Sequence, residues 1–176
     1  MTRKVSTGEG HFHYTTFSCH GRRNLLNDNE AKQIVIHVLS KVVRERGAML
    51  VGFVVMPNHI HLVLGYGGDD SDHDRVVQEI KRQSSILLSG YLRKIEYPFL
   101  SELRVSKDGR DVTRICQRRY HDFNLRSDRK LIEKLEYIHQ NPVREKIVGR
   151  AVDYRWSSCQ YYEKGRSVGV TITKCA

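Results

Sequence analysis

The residues best suited to chemistry fall in two short segments, His59-Ile60-His61 and Tyr137 to Asn141. The histidines stand two apart in HIHLVLGY (residues 59–66), a run of strand length and composition. On a strand that spacing puts both imidazoles on one face, with Ile60 turned the other way. Two imidazoles in this register can share a metal ion if each donates its remaining N–H to a supporting partner. The spacing alone equally suits a structural or surface pair, and His11, His13, His20, His121 or His139 could complete a different site. There is no His-Glu-x-x-His helix, and the four cysteines (Cys19, Cys116, Cys159, Cys175) are scattered without a CxxC, which argues against a zinc knuckle and reads as reduced thiols.

The second segment lies on an expected helix running from a Ser127 cap to about Gln140, ended with the help of Pro142. Leu131, Leu135 and Ile138 form its apolar stripe, leaving Tyr137 beside the stripe and Asn141 one turn further on the tyrosine's face. A tyrosine here also suits plain packing at the core's edge. Taken together, two imidazoles and an amide oxygen make a neutral donor set for one Mg²⁺ or Mn²⁺ ion, and a phenol beside it could attack phosphorus. The absence of a dense carboxylate cluster argues against a two-metal nuclease.

Positioning these groups requires a small set of elements. HFHYTTFS (residues 11–18) reads as a first strand; Asn27, Asp28 and Asn29 offer caps to a helix carrying Ala31, Ile34, Val35, Val38, Leu39, Val42 and Val43. MLVGFVVM (residues 49–56) reads as a buried strand, turned at Pro57-Asn58 into the histidine strand. A second helix should bury Val77, Ile80, Ser84, Leu87 and Tyr91, residues 95–112 look irregular, and residues 114–126 read as the last strand. Trp156, Tyr161 and Tyr162 point to a packed tail. The order β-α-β-β-α-β-α implies an α+β, ferredoxin-like antiparallel sheet with helices mainly on one face. A single domain is expected over residues 1–176, with a short basic arm (1–10) and an aromatic C-terminal extension (about 144–176).

With 30 Lys and Arg against 20 Asp and Glu, the net charge of +10 favours a polyanionic partner, nucleic acid before an anionic membrane surface. No apolar run approaches the ~20 residues that span a bilayer, and no secretory signal opens the chain, so a cytoplasmic location is expected. Arg114, Arg118, Arg119, Arg126, Arg129 and Lys130 are candidate phosphate contacts, followed by Lys81 and Arg82 of the second helix and by Arg22 and Arg23, which could read a hairpin stem. Arg93 and Lys94 belong to the same helix group. Tyr120, Tyr161 and Tyr162 suit either base stacking or the core.

Four segments resemble one known family. MPNHIHLVL (residues 56–64) is similar to the His-hydrophobic-His motif of single-tyrosine HUH transposases, and YIHQNPV (137–143) to the tyrosine motif of their subgroup, the REP-associated tyrosine transposases. QRRYHDFNLR (117–126) and WSSCQYY (156–162) resemble that subgroup in the same order, so the likeness covers about residues 8–165. It implies metal-dependent cleavage and rejoining of single-stranded hairpin DNA through a 5′-phosphotyrosine, leaving a free 3′-hydroxyl and using no nucleotide cofactor. Carried over by position, His59, His61 and Asn141 match the metal ligands and Tyr137 the nucleophile. A homodimer is also implied as an arrangement of related insertion-sequence transposases. The chain departs from the subgroup in having Phe123 after Tyr120-His121-Asp122, where a histidine is usual, and Cys116 near the place of a tryptophan. Two rival readings stay open: a nucleic-acid-binding protein that kept the fold without the chemistry, and a metal-dependent hydrolase of another kind.

Overall fold

The structure is a computed structural model that describes residues 10–68, 70–107 and 109–174. The expected basic arm lies almost wholly outside these residues, as does Cys175. The main sheet has four antiparallel strands in the order β2-β3-β1-β6: β1 (His11–Ser18), β2 (Met49–Val55), β3 (His59–Tyr66) and β6 (His121–Leu125). Strands β1 and β3 pair along their whole length, His11 opposite Tyr66 and Ser18 opposite His59. This central position explains the nearly unbroken apolar run of β3, since both of its faces are covered.

Helices α1 (Asn29–Glu45) and α2 (His73–Lys94) pack on each other and on one face of the sheet. Asp28 starts α1 by accepting the Ala31 N–H at 2.8 Å. Helix α3 (Asp128–Arg144) alone takes the opposite face, with Ser127 as its cap and Leu131, Leu135 and Ile138 buried. Its approach is allowed by Gly52 of β2: a Cβ at that position would lie 2.3 Å from Leu135 Cδ2 and 3.1 Å from Ile138 Cδ1. The expected α+β antiparallel architecture is thus present. The helix also runs beyond its expected end, because Pro142 is accommodated within it and the helix closes at Arg144.

Three local expectations are corrected. Residues 95–112 are not wholly irregular, since β4 (Arg104–Lys107) and β5 (Arg110–Thr113) form a separate hairpin. The last strand of the main sheet is only His121–Leu125, without residues 114–120. The buried stripe of α2 continues through Leu88 and Leu92, whereas Leu87 is exposed.

The free edge of β2 is covered by the chain's own C-terminal extension. Val55 N–H donates to the Trp156 carbonyl at 2.9 Å, Ser158 N–H to Phe53 at 2.9 Å, and Thr173 N–H to Leu50 at 2.8 Å. Trp156 is buried and donates from Nε1 to Asn29 Oδ1 at 3.1 Å, and Tyr162 donates to the Val51 carbonyl at 2.9 Å. The tail aromatics are therefore packing groups, Tyr161 and Tyr162 being carried on the short helix α4 (Cys159–Lys164). Among the described residues, Cys19, Cys116 and Cys159 are unbridged. No helix among them is long and apolar enough to cross a membrane.

Candidate active site

Pairing of Thr16 with His61 and of Ser18 with His59 puts Tyr14, Thr16, Ser18, His59 and His61 on the α3 face of the sheet. Tyr137 and Asn141, one helical turn apart on α3, complete a cleft of about 510 Å³ with these residues, Arg22, Gln117, Arg119, His121 and Glu145. The His59 and His61 rings stand edge to face at 4.7 Å between centroids, and Tyr137 stands edge to face against His61 at 5.9 Å. The two sequence segments, far apart in the chain, thus meet in one place.

Each imidazole is held through Nδ1. His59 Nδ1 lies 2.6 Å from Asn58 Oδ1, an acceptor, so it donates there, which leaves Nε2 as the ring's acceptor nitrogen. His61 Nδ1 lies 2.8 Å from the Tyr14 hydroxyl. Burial, the neighbouring His59 and the Lys134 ammonium push His61 down to about 3, so it is neutral at physiological pH. Burial also lowers His59, against the opposing pull of Glu145. His61 Nε2 and Asn141 Nδ2 are buried with no hydrogen-bond partner among the described residues. A half-turn of the Asn141 amide would put its oxygen where Nδ2 stands. Two neutral nitrogens and an amide oxygen, converging in a polar cleft with an orphaned buried nitrogen, fit a divalent cation.

The phenol is accessible: Tyr137 retains 37% of its surface, whereas Asn141 retains 6%. Two cations flank its ring, Arg144 at 4.6 Å and Lys134 at 5.1 Å from the centroid, and Lys134 also lies 4.9 Å from the Tyr14 ring. Tyr14, Lys134, Arg144 and Glu145 are site residues that the sequence reading passed over. Lys134 and Arg144 could have been found by helical spacing from Tyr137 and Asn141, respectively. Tyr14 could have been found only from the register of β1 on β3.

The basic candidates divide. Arg22 and Arg119 line the cleft. Arg114, Arg118, Arg126, Arg129 and Lys130 follow or precede β6, with Arg126 and Lys130 beside the exposed Phe123 in a shallower hollow and Lys130 paired to Glu133. Arg23 pairs with Glu102, and Arg82 with Glu79. Lys81 is corrected: it is 6% exposed, donates to the Arg118 carbonyl at 2.8 Å and lies over the Phe17 and Tyr120 rings, so it is a packing group. His139, one of the alternative histidines, is half-buried, lies 2.8 Å from Ser158 Oγ and is pushed down to about 4 by burial.

The other face of the sheet carries a second histidine group. His13, His73 and Asp122 place ligand atoms within 4.8 Å of one another and could hold a metal ion. His13 Nδ1 lies 2.8 Å from Asp122 and Nε2 2.9 Å from Asp70, while His73 Nε2 lies 3.0 Å from Asp122 and Nδ1 3.0 Å from the Tyr66 hydroxyl. All four ring nitrogens therefore already have partners, and the sheet separates this group from Tyr137.

A four-stranded antiparallel sheet, with a helix-borne tyrosine facing strand-borne histidines, is an arrangement shared with a known family. The family model described as "Transposase IS200 like" matches residues 8–101, more than half of the chain, and the chain belongs to that family. A Haemophilus influenzae protein described as a REP-associated tyrosine transposase is 27% identical over 108 residues, 61% of this chain. That match spans 57% of the relative's own length. A solved REP-associated tyrosine transposase bound to a REP hairpin superposes with a TM-score of 0.67 at 21% identity, covering 100% of this chain and 96% of that one. A Deinococcus radiodurans structure described as a transposase gives 0.50 at 19% identity, covering 74% and 90%.

Proposed function

We propose that the protein cleaves and rejoins single-stranded hairpin DNA, with Tyr137 as nucleophile and one Mg²⁺ or Mn²⁺ ion held by His59, His61 and Asn141. The observation that carries this is the meeting, in one polar cleft, of an accessible phenol with two neutral imidazoles whose Nδ1 atoms are both engaged. The bound cation would supply Lewis-acid polarisation of the scissile phosphodiester and hold it in place. Tyr137 Oη attacks phosphorus as its proton leaves; the bond to the 3′-oxygen breaks, and that oxygen is released as a hydroxyl. Attack of another 3′-hydroxyl on the phosphotyrosine reverses the step and joins strands, so no nucleotide cofactor is consumed. Arg22 and Arg119 on the cleft wall, with Lys134 and Arg144 beside the phenol, suit a negatively charged backbone.

Support for a hairpin substrate comes from the family and from the hairpin held by the structural relative. The exposed arginines before and after β6 would follow the backbone outside the cleft. Helix α3 faces the histidines of its own chain, which supports a site assembled in cis.

The test is incubation of the protein with end-labelled hairpin DNA and Mn²⁺, followed by denaturing electrophoresis. Wild type should give a covalent protein–DNA band; Tyr137→Phe and His59→Ala should give none while still binding DNA. His73→Ala should retain the band, since its group lies on the other face. An adduct that survives Tyr137→Phe, or one lost with His73→Ala in a folded protein, would overturn this assignment.

A further inference from the structure

Tyr14 touches both halves of the site, and no motif requires it. Its hydroxyl lies 2.8 Å from His61 Nδ1, and its ring stacks on His61 at 5.7 Å and 17° between planes. The same ring stands edge-on to Tyr137 at 6.2 Å. Lys134 bridges the pair from above, with its ammonium close to both rings.

A neutral imidazole has one N–H, and its position decides whether His61 can bind an ion. If Tyr14 donated to Nδ1, the proton would sit on Nε2, a buried nitrogen with no acceptor. That arrangement leaves a donor unsatisfied and removes the lone pair a cation needs. If Tyr14 accepts from Nδ1–H, Nε2 keeps its lone pair, and the one group left without a partner is the acceptor that an ion would use.

We infer that Tyr14 is a positioning residue for the ion site: it accepts from His61 Nδ1–H and so leaves Nε2 as the nitrogen that binds the ion, while its ring packs against Tyr137. This rests on the site proposed above. Supporting partners of this kind change metal affinity about 10–100-fold when removed.

Long-range proton–nitrogen NMR of the full-length metal-free protein should find His61 protonated on Nδ1; protonation on Nε2 in the wild type would overturn the inference without any variant. Tyr14→Phe keeps the ring and its stacking but removes the hydroxyl. Mn²⁺ titration by calorimetry should then show affinity about 10–100-fold weaker than wild type, with an unchanged melting temperature. Adduct formation should fall at limiting Mn²⁺ and recover substantially at saturating Mn²⁺. Wild-type Mn²⁺ affinity in Tyr14→Phe, with binding lost in His61→Ala, overturns the role of Tyr14 and leaves the site standing. Undiminished Mn²⁺ binding in His61→Ala sinks the site, and the role of Tyr14 with it.

Discussion

At the residue scale, the proposed chemistry would depend on neutral, oriented imidazoles rather than on charge. The two ligand histidines could be proposed from the strand period, and Asn141 from the helical turn after Tyr137, because both periods are local properties of the chain. Tyr14 and Glu145 were not legible in this way: they reach the site through strand register and helix docking, which no single segment encodes. The His13 group illustrates the same limit. Its members come from β1, α2 and β6, and its balance of charge makes a pH prediction. Burial disfavours the His13 charge, but hydrogen bonds with Asp122 and Asp70 outweigh it and raise the imidazole above its usual 6.5. Burial alone would raise Asp122, yet the hydrogen bonds from His13 and His73 hold it far below its usual 3.8. The raised His13 stabilises the fold below pH ~6.5 and loses that contribution as pH climbs through its folded value; the lowered Asp122 contributes above pH ~4 and loses it in acid. Asp122→Asn should therefore cost about 2 kcal/mol, most clearly between pH ~4 and ~6.5, with the gap to wild type narrowing on either side in urea titrations.

At the element scale, the decisive contact is α3 against the sheet. The apolar stripe and cap of this helix were legible, but the face it would take was not, since an amphipathic helix can cover either side of a sheet whose strands are apolar on both. Gly52 settles the distance of approach, although in the sequence it appears only as a break in an apolar run. Gly52→Ala should destabilise the protein by about 1–3 kcal/mol through overpacking against Leu135 and Ile138. It should also lower the rate of adduct formation more than DNA affinity, because displacement of α3 moves Tyr137 relative to His61. Equal losses in both would show that α3 is not seated in the way described. The β4–β5 hairpin was missed for a different reason: its strands are four residues long and largely exposed, so no alternation marks them, and only the Asp108-Gly109 pair signals the turn. Lys81 was misjudged because its charge suggested a solvent-facing position, although Val77, Lys81, Ser84 and Leu88 share the spacing of the buried face.

At the scale of the whole molecule, the charge of +10 anticipates a polyanion, and the structure resolves which charges are free to meet one. Lys81 is buried, and Arg82 and Arg23 are paired, whereas Arg22 and Arg119 open onto the cleft. Replacing Arg119 by alanine should weaken hairpin binding and reduce the slope of log affinity against log salt by about 1; replacing Arg82 should leave that slope unchanged. Fluorescence anisotropy between low and physiological salt would measure both. The C-terminal extension seals the β2 edge by hydrogen bonds from residues 158 and 173, so self-association through that strand would require the tail to leave.

The central claim is that one particular phenol becomes covalently joined to DNA. Its most direct measurement is proteolysis of the wild-type adduct formed with Mn²⁺ and a hairpin, followed by mass spectrometry of the nucleotide-bearing peptide. The account predicts a phosphodiester-linked oligonucleotide on Tyr137 of α3, carried through its 5′-phosphate. Attachment to Tyr14, Tyr120 or any other residue, or cleavage that leaves both DNA ends free of protein, would contradict it.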